Sequence, residues 1–165
     1  MITLNELRDL AKHIVDEFTT LNITLAIAES CTGGLASSLL TDIDGSSDIF
    51  PFGLVTYSVN AKEEFLGIPN YLIAEYGTVS IECAKRMASS LLDYDVSFGL
   101  ATTGVVGKPY EGKFTGTAFI AVARPGEKTI GKELKLDPNL SRFQLKMEIV
   151  GELFHLLLEA HEESF

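Results

Sequence analysis

The sequence is poor in basic residues. It has 13 Lys and Arg against 23 Asp and Glu, which gives a formal net charge of −10 over 165 residues. This excess of negative charge repels nucleic-acid phosphates and anionic lipids, so neither polymeric DNA or RNA nor a membrane is an expected partner. An anionic small molecule is compatible with the composition if a few cations converge locally. Four basic residues are therefore of interest: Lys62, Lys108, Lys113 and Arg142.

Cysteines and long apolar runs are also scarce. Cys31 and Cys83 lie far apart and form neither a C-x-x-C pair nor a disulfide framework, which favours a reducing compartment. No stretch approaches the ~18 apolar residues that span a bilayer, and no basic, apolar leader begins the chain. No His, Asp or Glu spacing suggests a metal centre, and no cofactor is expected. The sequence predicts a cytoplasmic protein.

Apolar periodicity predicts an α/β protein with one domain over residues 1–165. A capping box at Thr3 begins an amphipathic first helix, on whose polar face His13 is expected to be solvated. Ser80 is expected to cap a later helix, and Asp137-Pro138 to begin the last one, along which Phe143 belongs to the apolar face. Other elements are predicted as strands at 24–28, 54–57, 96–102, 117–123 and 130–136 and a short helix at 60–66.

Two of these strands end in polar turns that contain glycine. Ser30-Cys31-Thr32-Gly33-Gly34 follows the first strand, and residues 103–107 follow the third. Ligands of open α/β sheets collect beyond the carboxyl ends of strands, where helix N-termini carry unpaired amides. The first turn is therefore a candidate site for a phosphate or an oxyanion. A serine before a helix is, however, also a common N-cap, and paired glycines often serve packing.

Ser30 can act as a nucleophile only if a base lies within hydrogen-bond reach. His155 and the polar-end residue His161 lie on the last helix, away from the proposed site. Lys62 is the alternative base, provided that burial or nearby positive charge keeps its amine neutral. Tyr57 can relay a proton or orient the amine, although an aromatic side chain at a strand end usually packs.

The segment Ala28-Glu29-Ser30-Cys31-Thr32-Gly33-Gly34 resembles the A-E-S-C-T-G-G signature of the CinA C-terminal domain, also found as stand-alone nicotinamide-nucleotide amidases. Further matches follow in chain order and span most of the sequence. They are Asp44-Gly45-Ser46-Ser47, Val55-Thr56-Tyr57-Ser58 with Ala61-Lys62, Leu66-Gly67-Ile68-Pro69, Gly77-Thr78-Val79-Ser80 and Thr103-Gly104.

The resemblance implies a three-layer α/β/α sandwich with a mixed, mainly parallel five-stranded sheet. It also implies that Ser30 is the nucleophile, Lys62 its general base and Tyr57 the partner of that base. Further roles are implied for six residues. Thr32, Gly33 and Gly34 would serve the oxyanion hole and substrate contacts, Thr103 and Gly104 would line the pocket, and Arg142 would contact a substrate phosphate.

The implied reaction converts nicotinamide mononucleotide into nicotinic acid mononucleotide and ammonia, without a metal or an organic cofactor. Two departures bear on the substrate. Residues 105–113 differ from the family's usual T-G-x-A-G-P continuation, and Val59 stands where an asparagine is usual. The N-terminal molybdopterin-binding-like domain of longer CinA proteins is absent from this sequence, so only activities of the C-terminal part carry over.

Three alternatives stay open at this point. Cys31 is more reactive as a thiolate than a serine and lies next to Ser30, so it is a second candidate nucleophile. A non-catalytic nucleotide-binding module would use the glycine-rich turn for phosphate and Lys62 for charge. A structural partner in a larger assembly is the third class. A homo-oligomer, dimer or trimer, is also expected.

Overall fold

The computed structural model describes residues 1–163. Its five strands are β1 (Leu25–Glu29), β2 (Gly53–Val55), β3 (Phe98–Gly104), β4 (Thr117–Ala123) and β5 (Ile130–Lys135). Its helices are α1 (Leu4–Leu21), α2 (Leu35–Thr41), α3 (Val59–Leu66), α4 (Asn70–Tyr76), α5 (Ile81–Ser90) and α6 (Arg142–Glu162). Two 3₁₀ turns, Ser46–Asp48 and Leu91–Tyr94, complete the regular structure of the described residues.

The strands form one mixed sheet in the order β2-β1-β3-β4-β5. β1 pairs in parallel with β2 and β3, whereas β4 runs antiparallel to both β3 and β5. All residues of β1 are buried, as expected of a strand covered on both faces. Helices α1, α2 and α6 cover one face, and α3, α4 and α5 cover the other. The prediction of a three-layer sandwich with a mainly parallel sheet is confirmed.

Capping residues and apolar periodicity predicted several helix starts and strands correctly. The Thr3 hydroxyl accepts from the Glu6 N–H, and the Glu6 carboxylate accepts from the Thr3 N–H, so the capping box is present. His13 is exposed beside Glu17, as predicted. The Ser80 side chain accepts from the Cys83 N–H at the start of α5. Strand β4 has the predicted bounds, and the bounds of the other strands differ from the predicted ones by at most two residues.

The predicted start of the last helix is wrong. Asp137 does not begin α6; its carboxylate accepts from the backbone and side-chain amides of Asn139 and closes a local turn. The helix begins at Arg142, because the Ser141 side chain accepts from the Gln144 N–H and caps it. Phe143 was expected on the apolar face but is 53% exposed.

His161 also differs from expectation. It lies in the last turn of α6, yet its side chain is buried and its ring packs edge-on against Phe18 and Phe98. The sequence around it is polar, so periodicity alone placed it in a solvated end. Helix α4 was not predicted. None of its residues is buried in the structure, and its sequence accordingly lacks the apolar stripe from which a helix is recognised. No helix within residues 1–163 has the length and apolar character needed to cross a membrane.

Candidate active site

Strand pairing brings the candidate residues to one edge of the sheet. Glu29, the last residue of β1, lies opposite Val55 of β2 and Thr102 of β3. The ladder continues one step further, since the Ser30 N–H donates to the Thr102 carbonyl and the Thr56 N–H donates to the Glu29 carbonyl. The residues that follow three parallel strands therefore meet beyond the same edge, where ligands of open sheets bind.

Ser30 and Lys62 are in direct contact at this edge. The Lys62 Nζ lies 3.0 Å from the Ser30 Oγ. It also donates to the carbonyl oxygens of Thr56, at 2.7 Å, and Tyr57, at 3.3 Å. Lys62 lies in the first turn of α3, whose start is fixed by the Ser58 side chain accepting from the Ala61 N–H. The structure thus brings together the two residues that sequence reasoning paired.

Burial of Lys62 shifts its amine toward the neutral form. Its side chain is only 1% exposed, and burial lowers its pKa from the ordinary lysine value, although Cys83, Cys31 and Glu111 act in the opposite direction. A neutral amine has two N–H groups and one lone pair. The carbonyls of Thr56 and Tyr57 can take both N–H groups, which leaves the lone pair for the Ser30 hydroxyl. This arrangement suits a general base.

Tyr57 contacts Lys62 through its main chain, not through its ring. Its carbonyl accepts from the Lys62 amine, whereas its side chain is 61% exposed and its hydroxyl accepts from the Arg142 Nη2 at 3.0 Å. The expectation that the phenol orients or relays for the base therefore needs correction. The geometry places the Tyr57 hydroxyl with Arg142 at the mouth of the cleft, where both side chains can face a ligand.

Glu29 is a site residue that sequence reasoning missed. It is fully buried, and its carboxylate accepts from the N–H groups of Ala36 and Ser37, both at 3.0 Å, and from the Ser37 hydroxyl at 2.7 Å. A carboxylate is a favourable partner for the N-terminus of a helix. Because Glu29 already satisfies the first turn of α2, that helix end is not available to a phosphate. The sequence feature that could have pointed to Glu29 is its position directly before Ser30.

Thr32 supports the same arrangement. Its hydroxyl donates to the Glu29 carboxylate at 2.7 Å and lies 2.8 Å from the Thr102 hydroxyl. The Gly33 N–H donates to the Ser30 carbonyl, and Gly33 and Gly34 both have positive φ, which glycine adopts most easily. The described cleft lining includes none of these three residues. They shape the turn that presents Ser30, which differs from the expected oxyanion and substrate contacts.

A cleft of about 500 Å³ opens in front of Ser30, within the usual range for small-molecule sites. Thr103, Gly104, Lys108 and Arg142 are among the residues that line it. Thr103 also has a structural contact, since its hydroxyl donates to the Thr78 carbonyl at 2.8 Å. Gly107 allows close approach of the arginine, because a Cβ there would lie 2.6 Å from the Arg142 Nη1.

Cys31 is a poor candidate for the nucleophile. It lines the cleft but is buried, and this burial, together with the nearby Glu29 charge, raises the pKa of its thiol to about 12. The thiolate is the reactive form, and almost none is present at neutral pH.

For the amide hydrolysis that the resemblance implies, we therefore expect Cys31→Ala to stay within about threefold of wild type, and iodoacetamide to leave turnover unchanged over the time of an assay. Rates of ammonia release, with mass spectrometry of the alkylated protein, provide the measurement. Two results together would make Cys31 the candidate nucleophile again. These are a rapid loss of turnover in step with alkylation of Cys31, and an inactive Cys31→Ala variant.

Residues 1–163 contain no cluster of three or more His, Cys, Asp or Glu side chains that could hold a metal ion. The side chains that line the cleft include a serine hydroxyl, a buried amine and two cations, Lys108 and Arg142. A hydroxyl next to a neutral amine is an arrangement for acyl transfer, in which the serine attacks a carbonyl carbon.

Comparison with known proteins identifies the family of this chain. Residues 7–160 match the family model described as the CinA C-terminal domain. A CinA-like protein of Syntrophus aciditrophicus is 48% identical over 108 residues, or 64% of this chain and 26% of that protein. One of Syntrophotalea carbinolica is 40% identical over 125 residues, or 73% of this chain and 30% of that protein. The chain thus spans less than a third of these relatives.

A solved structure extends the similarity to nearly the whole chain. The competence/damage inducible protein CihA from Agrobacterium tumefaciens superposes with a TM-score of 0.90 at 29% identity. The match covers 96% of this chain and 98% of that chain. Family model, sequence relatives and fold all point the same way, and the chain belongs to the CinA C-terminal domain family.

Proposed function

We propose that this protein is an amide hydrolase that converts nicotinamide mononucleotide and water into nicotinic acid mononucleotide and ammonia. The observation that carries the proposal is the contact of 3.0 Å between the Lys62 Nζ and the Ser30 Oγ. Serine needs such a base to become a nucleophile near neutral pH, and a buried lysine can be one. Family membership adds support, because the resemblance stated above includes nicotinamide-nucleotide amidases.

In the first half of the reaction, the Ser30 Oγ attacks the carboxamide carbon while its proton passes to the neutral Lys62 amine. The tetrahedral intermediate then breaks its C–N bond, and the Lys62 ammonium returns the proton to the leaving nitrogen, which departs as ammonia. The Ser30 and Gly33 N–H groups already donate to protein carbonyls, so other donors in the cleft would hold the oxyanion.

The second half releases the product from the acyl-enzyme. A water molecule attacks the ester carbon and gives a proton to Lys62, the bond to the Ser30 Oγ breaks, and the proton returns to that oxygen. The products are a regenerated serine and a carboxylic acid, which ionises to the carboxylate by releasing its proton to solvent or to the ammonia. Nothing further is consumed, since one water molecule supplies both the new oxygen and the balance of protons.

Charge at the cleft suits a phosphorylated substrate. The protein as a whole carries −10, yet Lys108 and Arg142 both line this cleft. An arginine donates to phosphate oxygens through two N–H groups, and the Tyr57 hydroxyl already lies against one end of the Arg142 guanidinium. Two cations in an otherwise acidic protein favour an anionic ligand at this position.

Ammonia release from nicotinamide mononucleotide by the purified protein tests the proposal. Nicotinamide riboside, which lacks the phosphate, and nicotinamide itself are the matched comparisons. We expect the mononucleotide to be the best of the three by kcat/KM. If none of the three compounds releases ammonia, and circular dichroism shows that the protein is folded, the proposal is wrong. If free nicotinamide is hydrolysed in preference to the mononucleotide, the proposed contact between the protein and the substrate phosphate is wrong.

The pH dependence of kcat/KM should report the titration of Lys62. Because the amine must be neutral to accept the serine proton, activity should rise with pH. Burial lowers the pKa of Lys62, so the midpoint of this rise should lie below the ordinary lysine value of ~10.4. Initial rates over a series of buffers, with protein-free blanks for alkaline decomposition of substrate, provide the test. A rate that falls as pH increases over the same range would exclude a neutral amine as base.

A further inference from the structure

The residues between β3 and β4 form one wall of the cleft. We call residues 105–116 the cleft loop; Val105, Val106, Gly107, Lys108 and Tyr110 of this loop line the cavity. Thr78 and Val79, just before α5, line the same cavity. The sequence of the loop departs from the usual family pattern, as noted above.

A single carboxylate joins these two sides. The Glu111 side chain accepts from the Thr78 hydroxyl at 2.7 Å, the Thr78 N–H at 3.0 Å and the Val79 N–H at 2.9 Å. Gly77 leaves the space that the carboxylate fills, because a Cβ at that position would overlap it. The φ and ψ of Gly77, 79° and 172°, also belong to a region open almost only to glycine.

The local backbone shows that a glutamate at this position is unfavourable for the turn itself. Glu111 and Gly112 have φ of 50° and 72° and are the central pair of a tight turn closed by two hydrogen bonds between Tyr110 and Lys113. Such type I′ turns favour Asn, Asp or Gly at the first central position. A residue that breaks a local preference is usually retained for another contact, and here that contact is Thr78 and Val79.

We infer that Glu111 is a positioning residue, whose carboxylate holds the cleft loop against the start of α5 and thereby sets how tightly the cleft binds its substrate. The contact extends to the site residues, since the Thr78 carbonyl accepts from Thr103. Glu111 is exposed overall, and the partial desolvation of its carboxylate disfavours ionisation, but its bonds from Thr78 and Val79 outweigh this effect and lower its pKa. The carboxylate is ionised at neutral pH and accepts three charge-assisted hydrogen bonds.

Two substitutions separate this role from that of the turn. Glu111→Asn suits the positive φ of the turn better than glutamate but is too short to reach Thr78 and Val79. Glu111→Gln keeps the length but presents an amide, which cannot accept from all three donors. A residue that served only the turn would tolerate or benefit from asparagine. Glu133→Gln, on the exposed side of β5, is the matched control.

Hydrogen exchange measures the contact without reference to activity. We expect exchange of the Thr78 and Val79 amides and of residues 105–116 to accelerate by about tenfold or more in both Glu111 variants, with the rest of the protein unchanged. The Glu133→Gln variant should exchange like wild type. Unchanged protection of Thr78 and Val79 in folded Glu111→Asn would overturn the inference.

The kinetic part rests on the proposed amidase function. With nicotinamide mononucleotide, both variants should raise KM by about tenfold and leave kcat within about twofold, because the serine and lysine are untouched. A fall in kcat at constant KM would overturn the positioning role. If wild type releases no ammonia, the amidase proposal fails, and the exchange result alone decides whether Glu111 holds the loop.

Discussion

Ser30→Ala is expected to reduce ammonia release from nicotinamide mononucleotide by at least about 10³-fold, to the level of the protein-free blank. The hydroxyl is the only group of the proposed mechanism that forms a bond to the substrate. Alanine cannot form the acyl-enzyme, so this route is lost even though the contacts of the Lys62 amine with the Thr56 and Tyr57 carbonyls do not depend on the serine side chain.

The fold should survive this substitution. Ser30 is a small residue, and its main-chain bond to Thr102 does not depend on the side chain. Unchanged circular dichroism and unchanged binding of nicotinic acid mononucleotide, measured by calorimetry, would show that the cleft is intact. A Ser30→Ala variant that still releases ammonia at more than a few per cent of the wild-type rate would end the serine mechanism. Binding of the mononucleotide without turnover by wild type would instead favour a binding module.

The elements that the sequence predicts best are β1 and the turn and helix that follow it. The apolar run before Ser30 and the helical spacing after it predict a strand, a turn and a helix, and the structure has all three. Side-chain direction was not predictable in the same way. Glu29 looks like a polar residue at a strand end, yet it is buried, because the two N–H groups and the hydroxyl at the start of α2 lie within reach of its carboxylate.

The contacts that the sequence could not predict are those between distant segments. The family resemblance implies that Tyr57 is the partner of Lys62, but the Tyr57 hydroxyl contacts Arg142, which is 85 residues away. Glu111 gave no signal as a site residue, since its partners Thr78 and Val79 lie 33 and 32 residues away. Pairing of this kind depends on how loops meet at the sheet edge, which periodicity and spacing do not determine.

The start of α6 shows a different limit. Asp137-Pro138 has the composition of a helix start, but Ser141 competes as a cap a few residues later. The later start matters for the site, because it places Arg142 in the first turn of the helix with its guanidinium against Tyr57. An earlier start would have placed this arginine within the helix.

Lys62→Met should lower kcat/KM by roughly 10²–10⁴-fold, since methionine fills a similar volume but cannot accept the serine proton. Lys128→Met, at an exposed turn position, is the matched control and should leave turnover unchanged. Retention of wild-type kcat/KM in the Lys62→Met variant would show that another group deprotonates Ser30 and would end the proposed role of the amine.

The same substitution should also change how stability depends on pH. The pKa of Lys62 is lower in the folded protein than in the unfolded chain, so between the two pKa values the unfolded chain binds more protons. Stability of wild type therefore gains from rising pH across this window, which ends near the ordinary lysine value of ~10.4. Methionine cannot titrate and has no such gain.

The melting temperature of Lys62→Met minus that of wild type should thus be largest below the folded pKa of Lys62 and should decrease as pH rises toward ~10.4. Calorimetric scans across that range, with Lys128→Met alongside, would measure it. A difference that stays constant with pH would mean that Lys62 keeps an ordinary pKa in the folded protein. The amine would then be charged at neutral pH and unable to act as a base, so one experiment on stability also tests the chemistry.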